Sequence, residues 1–224
     1  ALAKFGERSR QSLEATAMRA RDAISEALRS ELSELMAGLR SRSSLGERLW
    51  VAGECVAAPR SWADDVMNFL RISFMAKLTY LPLDARESLH YLACGHINQV
   101  LMECLVGESA TPEALDVCGL YNLRVDVQAL QAFADETGVL GLRDCFAEVY
   151  EILSFLTNPH LEGLIADQSG RAAQYPRIST DKAAAVLLKI QGHALINQTG
   201  GPDLPQLDKR TAHSLARTLR QQDC

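Results

Sequence analysis

The sequence predicts an all-α protein made of antiparallel helices in stacked bundles, and three observations carry that prediction. Apolar residues recur every three or four positions along almost the whole chain, the period of a helix with one buried face. Two-residue alternation, the mark of a half-buried strand, is nearly absent. Connections between the periodic segments are short, which sets consecutive helices side by side and antiparallel.

The first segment places Leu13, Ala17, Ala20, Ile24, Leu28, Leu32, Leu35 and Leu39 at such steps. It predicts one long amphipathic helix ending near Gly38 to Arg42, with a near-heptad spacing suited to packing along other long helices. The glycine- and proline-containing stretch "SRSSLGERLWVAGECVAAPRS" reads as a loop with one short helix. Ser61, with Asp64 three residues on, resembles a capping box and opens a helix whose face carries Trp62, Val66, Leu70, Phe74 and Leu78.

Leu81-Pro82 forces a break, because a residue before proline avoids helical dihedrals. The next helix turns Leu89, Leu92, Ala93, His96, Ile97, Val100, Leu101 and Cys104 inward and stops at Gly107. Thr111-Pro112-Glu113 predicts a short helix with proline in its first turn. "LYNLRVDVQALQAFADETG" gives another, to Gly138.

The stripe Leu142, Cys145, Phe146, Val149, Ile152, Leu153 and Leu156 follows, up to Pro159. A short helix is expected over Leu161 to Ala166, then a Gly/Ala/Gln loop. Ser179 or Thr180 caps the helix that buries Ala183, Val186, Leu187 and Ile190, with Tyr175 and Arg177 just before it. "NQTGGPDLPQ" is a linker, and a last helix runs from about Asp208 to Gln221. The total is roughly eight to ten helices without a repeat of fixed period.

The 224 residues, 47% hydrophobic and 23% charged, suit an ordinary globular core. A net charge of -5 argues against nucleic-acid binding, which needs a broad basic footprint. No stretch reaches the apolar length that spans a bilayer. The start "ALAKFGERSR" has neither an initiator Met nor a secretory leader, so a piece of a longer protein is expected. The six cysteines, Cys55, Cys94, Cys104, Cys118, Cys145 and Cys224, are scattered without a CxxC pair; at least three fall on apolar helical faces, which suits reduced thiols better than a disulfide scaffold. In that setting the sequon Asn197-Gln198-Thr199 carries no glycan.

Catalytic signatures are missing: there is no GxSxG elbow, no phosphate-cradling glycine loop and no HExxH. No catalytic residue and no cofactor is expected. The alternative to a non-enzyme is a metal-binding helical domain or enzyme using His90, Cys94 and His96. His90 and Cys94 share a helix face, but His96 points towards Ile97 and Val100, and zinc needs about four convergent ligands.

Two surfaces are candidates for partners. Tyr121, Asn122, Arg124, Asp126 and Gln128 combine an aromatic, an arginine and hydrogen-bonding groups near the start of one helix, and Tyr and Arg are favoured interface anchors. On the last helix Arg210, His213, Arg217 and Arg220 recur on one face with Lys209 beside them, opposite Leu215 and Leu219. That face suits anionic lipid or an acidic partner, at about 1 kcal/mol per basic residue near a charged membrane.

Six stretches, read in order, resemble one family. They are "DDVMNFLRISFMAKLTYLP", "HINQVLMECLVG", "LRVDVQALQAFAD", "LRDCFAEVYEILSFL", "QYPRISTDKAAAVLLKI" and "RTAHSLARTLRQQ". The family is the Sec-fifteen-type subunit of the exocyst, the vesicle-tethering complex. The resemblance spans nearly the whole chain and is weakest between Arg40 and Arg60.

It implies a rod of stacked helical bundles from the C-terminal part of the subunit, with a long helix and connecting segment over 1–60 and the bundle over 61–224. It further implies a cytoplasmic protein, peripherally associated with secretory vesicles and the plasma membrane. Its partners would be a GTP-loaded Rab-family GTPase and other exocyst subunits. Many relatives have Asn where Arg124 stands, in a region implicated in GTPase contact. Animal members carry a Trp-rich stretch in place of Thr157-Asn158-Pro159-His160, so a non-animal member is expected.

Overall fold

The computed structural model describes residues 2–41, 49–107, 112–191 and 201–222. Nine α-helices are found among them, and the all-α prediction holds. Helix α1 is Leu2–Leu35, extended by a 3-10 turn Ala37–Arg40. Helices α2 (Ser61–Ile72), α3 (Leu83–Val106) and α4 (Val117–Glu136) come next. After a 3-10 turn Leu142–Phe146 come α5 (Ala147–Leu156), α6 (Leu161–Ala166) and α7 (Gln168–Gln174). Helices α8 (Thr180–Leu188) and α9 (Lys209–Gln221) complete the order.

Among the first four helices, alternate ones run parallel, as an up-and-down succession requires. Ser33 Oγ meets His96 Nε2 at 2.8 Å and Arg40 meets Glu103 at 2.5 Å. Both pairs are 63 residues apart, so α1 and α3 advance together. The ion pairs Arg60–Asp126 and Arg71–Glu136 set α2 alongside α4 in the same way. One continuous core runs from Leu28 to Leu219. The N-terminal part of α1 stands out of it: Leu13 and Met18 are exposed, and burial starts around Ile24 and Leu28.

Helix α2 passes into a π-helical turn, Ser73–Lys77, closed by Leu78 N–H donating to the Ser73 carbonyl. Pro82 then starts α3 anew. At the other end of α3, Lys189 Nζ donates to the carbonyls of Cys104 (3.1 Å) and Gly107 (2.8 Å). A cation there satisfies orphan carbonyls and favours the negative end of the helix. Leu204, Leu207 and the buried face of α9 (Ala212, Ala216, Leu219) close the bundle over α8. Buried Arg171 donates to the Ile165 carbonyl and to Gln222 Oε1, tying α7 to the end of α9.

Three local predictions are corrected. Pro112–Asp116 is not helical: it bends at Glu113 and Leu115 pairs with the end of α8, its N–H donating to the Lys189 carbonyl and its carbonyl accepting from Gln191 N–H. Thr111 lies outside the described residues, as do the sequon Asn197-Gln198-Thr199 and most of the loop before Leu49. Ser61 does not cap α2; Arg60 occupies the cap position without a side-chain cap bond. The loop expected after Ala166 contains α7, capped by Asp167 accepting from Gly170 N–H. Ser179 does cap α8, as expected, accepting from Lys182 N–H. Among the described residues no helix is long and apolar enough to cross a membrane.

Candidate functional site

Helix α4 begins with Asp116, whose carboxylate caps it by accepting from Gly119 N–H. Asp116, Gly119, Asn122 and Asp126 follow at steps of three, three and four residues, and therefore share a face. That face holds the segment 49–60, a strap laid along the helix. The Trp50 carbonyl accepts from Asp116 N–H at 3.0 Å. Gly53, at φ 66°, turns the strap and donates its N–H to Asp116 Oδ2 at 2.8 Å.

Asn122 uses both ends of its amide. Its Oδ1 accepts from Val56 N–H and its Nδ2 donates to the Glu54 carbonyl, each at 2.8 Å. Asp126, 0% exposed, closes the strap. It accepts from Arg60 N–H (2.7 Å), Arg60 Nε (2.6 Å) and Trp62 Nε1 (3.0 Å). Burial pushes the Asp126 carboxyl up from its usual range, against the pull of these Arg60 and Trp62 donors. Arg60 Nη1 also donates to the Leu49 carbonyl, and Trp50 Nε1 to the Leu39 carbonyl at 2.9 Å. The strap is irregular from Val51 onward, and much of its backbone hydrogen bonding is supplied by one helix face.

This placement divides the five residues expected to form a partner surface. Asn122 and Asp126 lie under the strap, where an outside partner cannot reach them. Tyr121 and Arg124 are half-buried and Gln128 is exposed. The Arg124 guanidinium sits 4.9 Å over the Tyr121 ring and donates to Thr157 Oγ1 at 3.0 Å. The pair presents a cation and an aromatic ring in a fixed relation. Reading the sequence missed Arg60, Trp50, Gly53, Asp116 and Gly119; the one available signal was the polar and small residues repeating on an otherwise apolar helix.

The structure separates the metal candidates. His90 stacks on Phe74, ring centroids 3.7 Å apart, and its Nδ1 is 2.9 Å from the Arg86 carbonyl. His96 is paired with Ser33, and Cys94 is buried in the core, its thiol pushed up to about 12 by burial. Among the described residues no three His, Cys, Asp or Glu are grouped to hold a metal ion. On α9, Lys209, Arg210, Arg217 and Arg220 are exposed while His213 faces the Leu188 carbonyl. Lys209 Nζ is 3.4 Å from Gln191 Oε1.

Comparison with known proteins supplies what this geometry alone does not. No curated protein and no solved structure matches the chain. The family profile described as "Exocyst complex subunit Sec15 C-terminal" matches residues 3–189, which takes in α1 through α8 and the whole strap. The chain belongs to that family, and so to the subunits of a vesicle-tethering complex.

Proposed function

We propose that the chain is a non-catalytic docking module of the exocyst. It binds a GTP-loaded Rab-family GTPase and other exocyst subunits, and acts in the cytoplasm at secretory vesicles and the plasma membrane. The observation that carries this reading is the family match over 3–189. The contact proposed for the GTPase is the Tyr121–Arg124 pair with exposed Gln128, held in place by the strapped helix beneath it. A GTPase orders its switch loops only around the γ-phosphate, which makes such docking sensitive to nucleotide.

The experiment is capture of GTP-locked and GDP-locked Rab proteins on the immobilised chain. The GTP form is expected to be retained and the GDP form lost. Arg124→Glu should lower that capture by about tenfold, the scale of one interface anchor, in a protein that stays folded with a melting temperature lower by only a few degrees, since the bond to Thr157 and the stacking on Tyr121 are lost. Equal or absent capture of every Rab tested would refute the reading.

The outer face of α9 suggests a second contact, with anionic membrane. Its apolar residues Ala212, Ala216 and Leu219 are used up against the bundle, which turns Lys209, Arg210, Arg217 and Arg220 outward. Vesicles containing phosphatidylserine should sediment the protein at low salt and release it at high salt, because exposed charges are screened. Sedimentation that ignores lipid charge or salt would rule this contact out.

A further inference from the structure

Cys55 and Cys118 are the only two thiols among the described residues whose sulfurs are recorded in contact, Sγ to Sγ 2.9 Å apart. Cys55 belongs to the strap and Cys118 to the first turn of α4. Nothing in the tethering role uses them. We infer that they form a reversible oxidation site, in which a two-electron oxidant of the peroxide class closes a Cys55–Cys118 disulfide that staples the strap to α4.

The contact is built by the backbone rather than by chance rotamers. Cys55 lies between Glu54, whose carbonyl is held by Asn122 Nδ2, and Val56, whose N–H is held by Asn122 Oδ1. Gly53 is fixed to Asp116, which is also the cap of the helix turn that carries Cys118. The residues on both sides of each sulfur are thus anchored to the same helix. A disulfide needs about 2.05 Å between sulfurs, so closure asks for roughly 0.9 Å of further approach.

The roles of the two sulfurs differ. Cys55 is half-exposed and Cys118 is 1% exposed, so the oxidant reaches Cys55. Burial pushes both thiols up, and the Asp116 and Glu54 carboxylates add to it, but the hydrogen bond between the sulfurs lowers Cys55 and raises Cys118. Cys55 is therefore the first of the two to ionise; the raised values make its thiolate scarce, so oxidation is slow and needs peroxide in excess.

The Cys55 thiolate attacks one peroxide oxygen, the O–O bond breaks, and the departing hydroxide takes a proton to become water. Cys55 is left as a sulfenic acid. Cys118 then gives up its proton as its sulfur attacks Cys55, the S–O bond breaks, and a second water leaves. Two thiols have lost two electrons and two protons, and peroxide has become two waters.

The test is hydrogen peroxide treatment of the folded chain, followed by peptide mapping and hydrogen exchange. The expected result is a cross-linked peptide containing Cys55 and Cys118, lighter by two hydrogens and reversed by dithiothreitol. Exchange at the Gly53 and Val56 amides should slow at least about tenfold and Tm should rise by roughly 5–10 °C, since the bond closes a long loop. The Cys55→Ser variant, altered at the half-exposed position, should stay folded and show neither change. Two results would overturn the inference: a folded protein in which Cys55 is oxidised or alkylated without joining Cys118, or a 55–118 link that forms equally well in urea.

Discussion

Asp126→Ala is expected to lower the stability of the chain by about 3–5 kcal/mol, the range for removing one partner of a buried ion pair. The loss is large because three donors converge on the carboxylate: Arg60 N–H, Arg60 Nε and Trp62 Nε1. Each would be left without its acceptor, and the Arg60 side chain is only 13% exposed, so water restores little of what is lost. Replacing both members, Arg60→Met with Asp126→Leu, should recover only part of the difference: no charge then remains buried, but the backbone N–H of residue 60 and Trp62 Nε1 still lack their acceptor. Urea unfolding followed by circular dichroism measures both. A single Asp126→Ala variant within about 1 kcal/mol of the parent would show that the strap is not fastened at this point. The same numbers make Asp126 a poor residue for probing partner binding, since its loss acts through the fold.

The helices were legible in the sequence because their information is local. Three- and four-residue apolar spacing placed α1 through α6, α8 and α9, and Ser179 was recognisable as a cap from its position before Thr180-Asp181. What failed was set by distant partners. Pro112 has the look of a first-turn proline, yet Leu115 is held out of a helix by Lys189 and Gln191, more than seventy positions away by their numbers. Ser61-x-x-Asp64 has nearly the form of a capping box, but Arg60 takes the cap position because Asp126 binds its N–H.

Helix α7 has too little apolar periodicity to be seen. It depends on its Asp167 cap and on Arg171, which is buried against Ile165 and Gln222. The same limit explains the site. Asn122 and Asp126 stood out as polar groups on a helix, which is also how a surface looks. Only the fold, by placing 54, 56 and 60 over them, shows that their hydrogen-bonding capacity is already spent within the chain.

Gly119→Ala reverses the usual expectation for a helical glycine. Alanine is favoured over glycine inside a helix by about 1 kcal/mol, so such a change in open space should stabilise. At Gly119 an added Cβ would lie 2.1 Å from the Trp50 carbonyl oxygen and 2.7 Å from its carbon. Those are backbone atoms of the strap, and the carbonyl is also the acceptor for Asp116 N–H. The strap must lift, which breaks that bond and disturbs the packing of Trp50, itself 1% exposed. The cost of forced overpacking, typically about 1–3 kcal/mol, exceeds the propensity gain here because the obstacle is backbone, and a net loss of about 2 kcal/mol is expected. Gly95 in α3 provides the contrast, since a Cβ there meets nothing within 4 Å; Gly95→Ala should stabilise by up to about 1 kcal/mol. Parallel urea titrations of the two variants decide the matter, and exchange at Gly53, Val56 and Arg60 should quicken only in Gly119→Ala. If the two alanines shift stability in the same direction, the close seating of the strap on α4 is wrong.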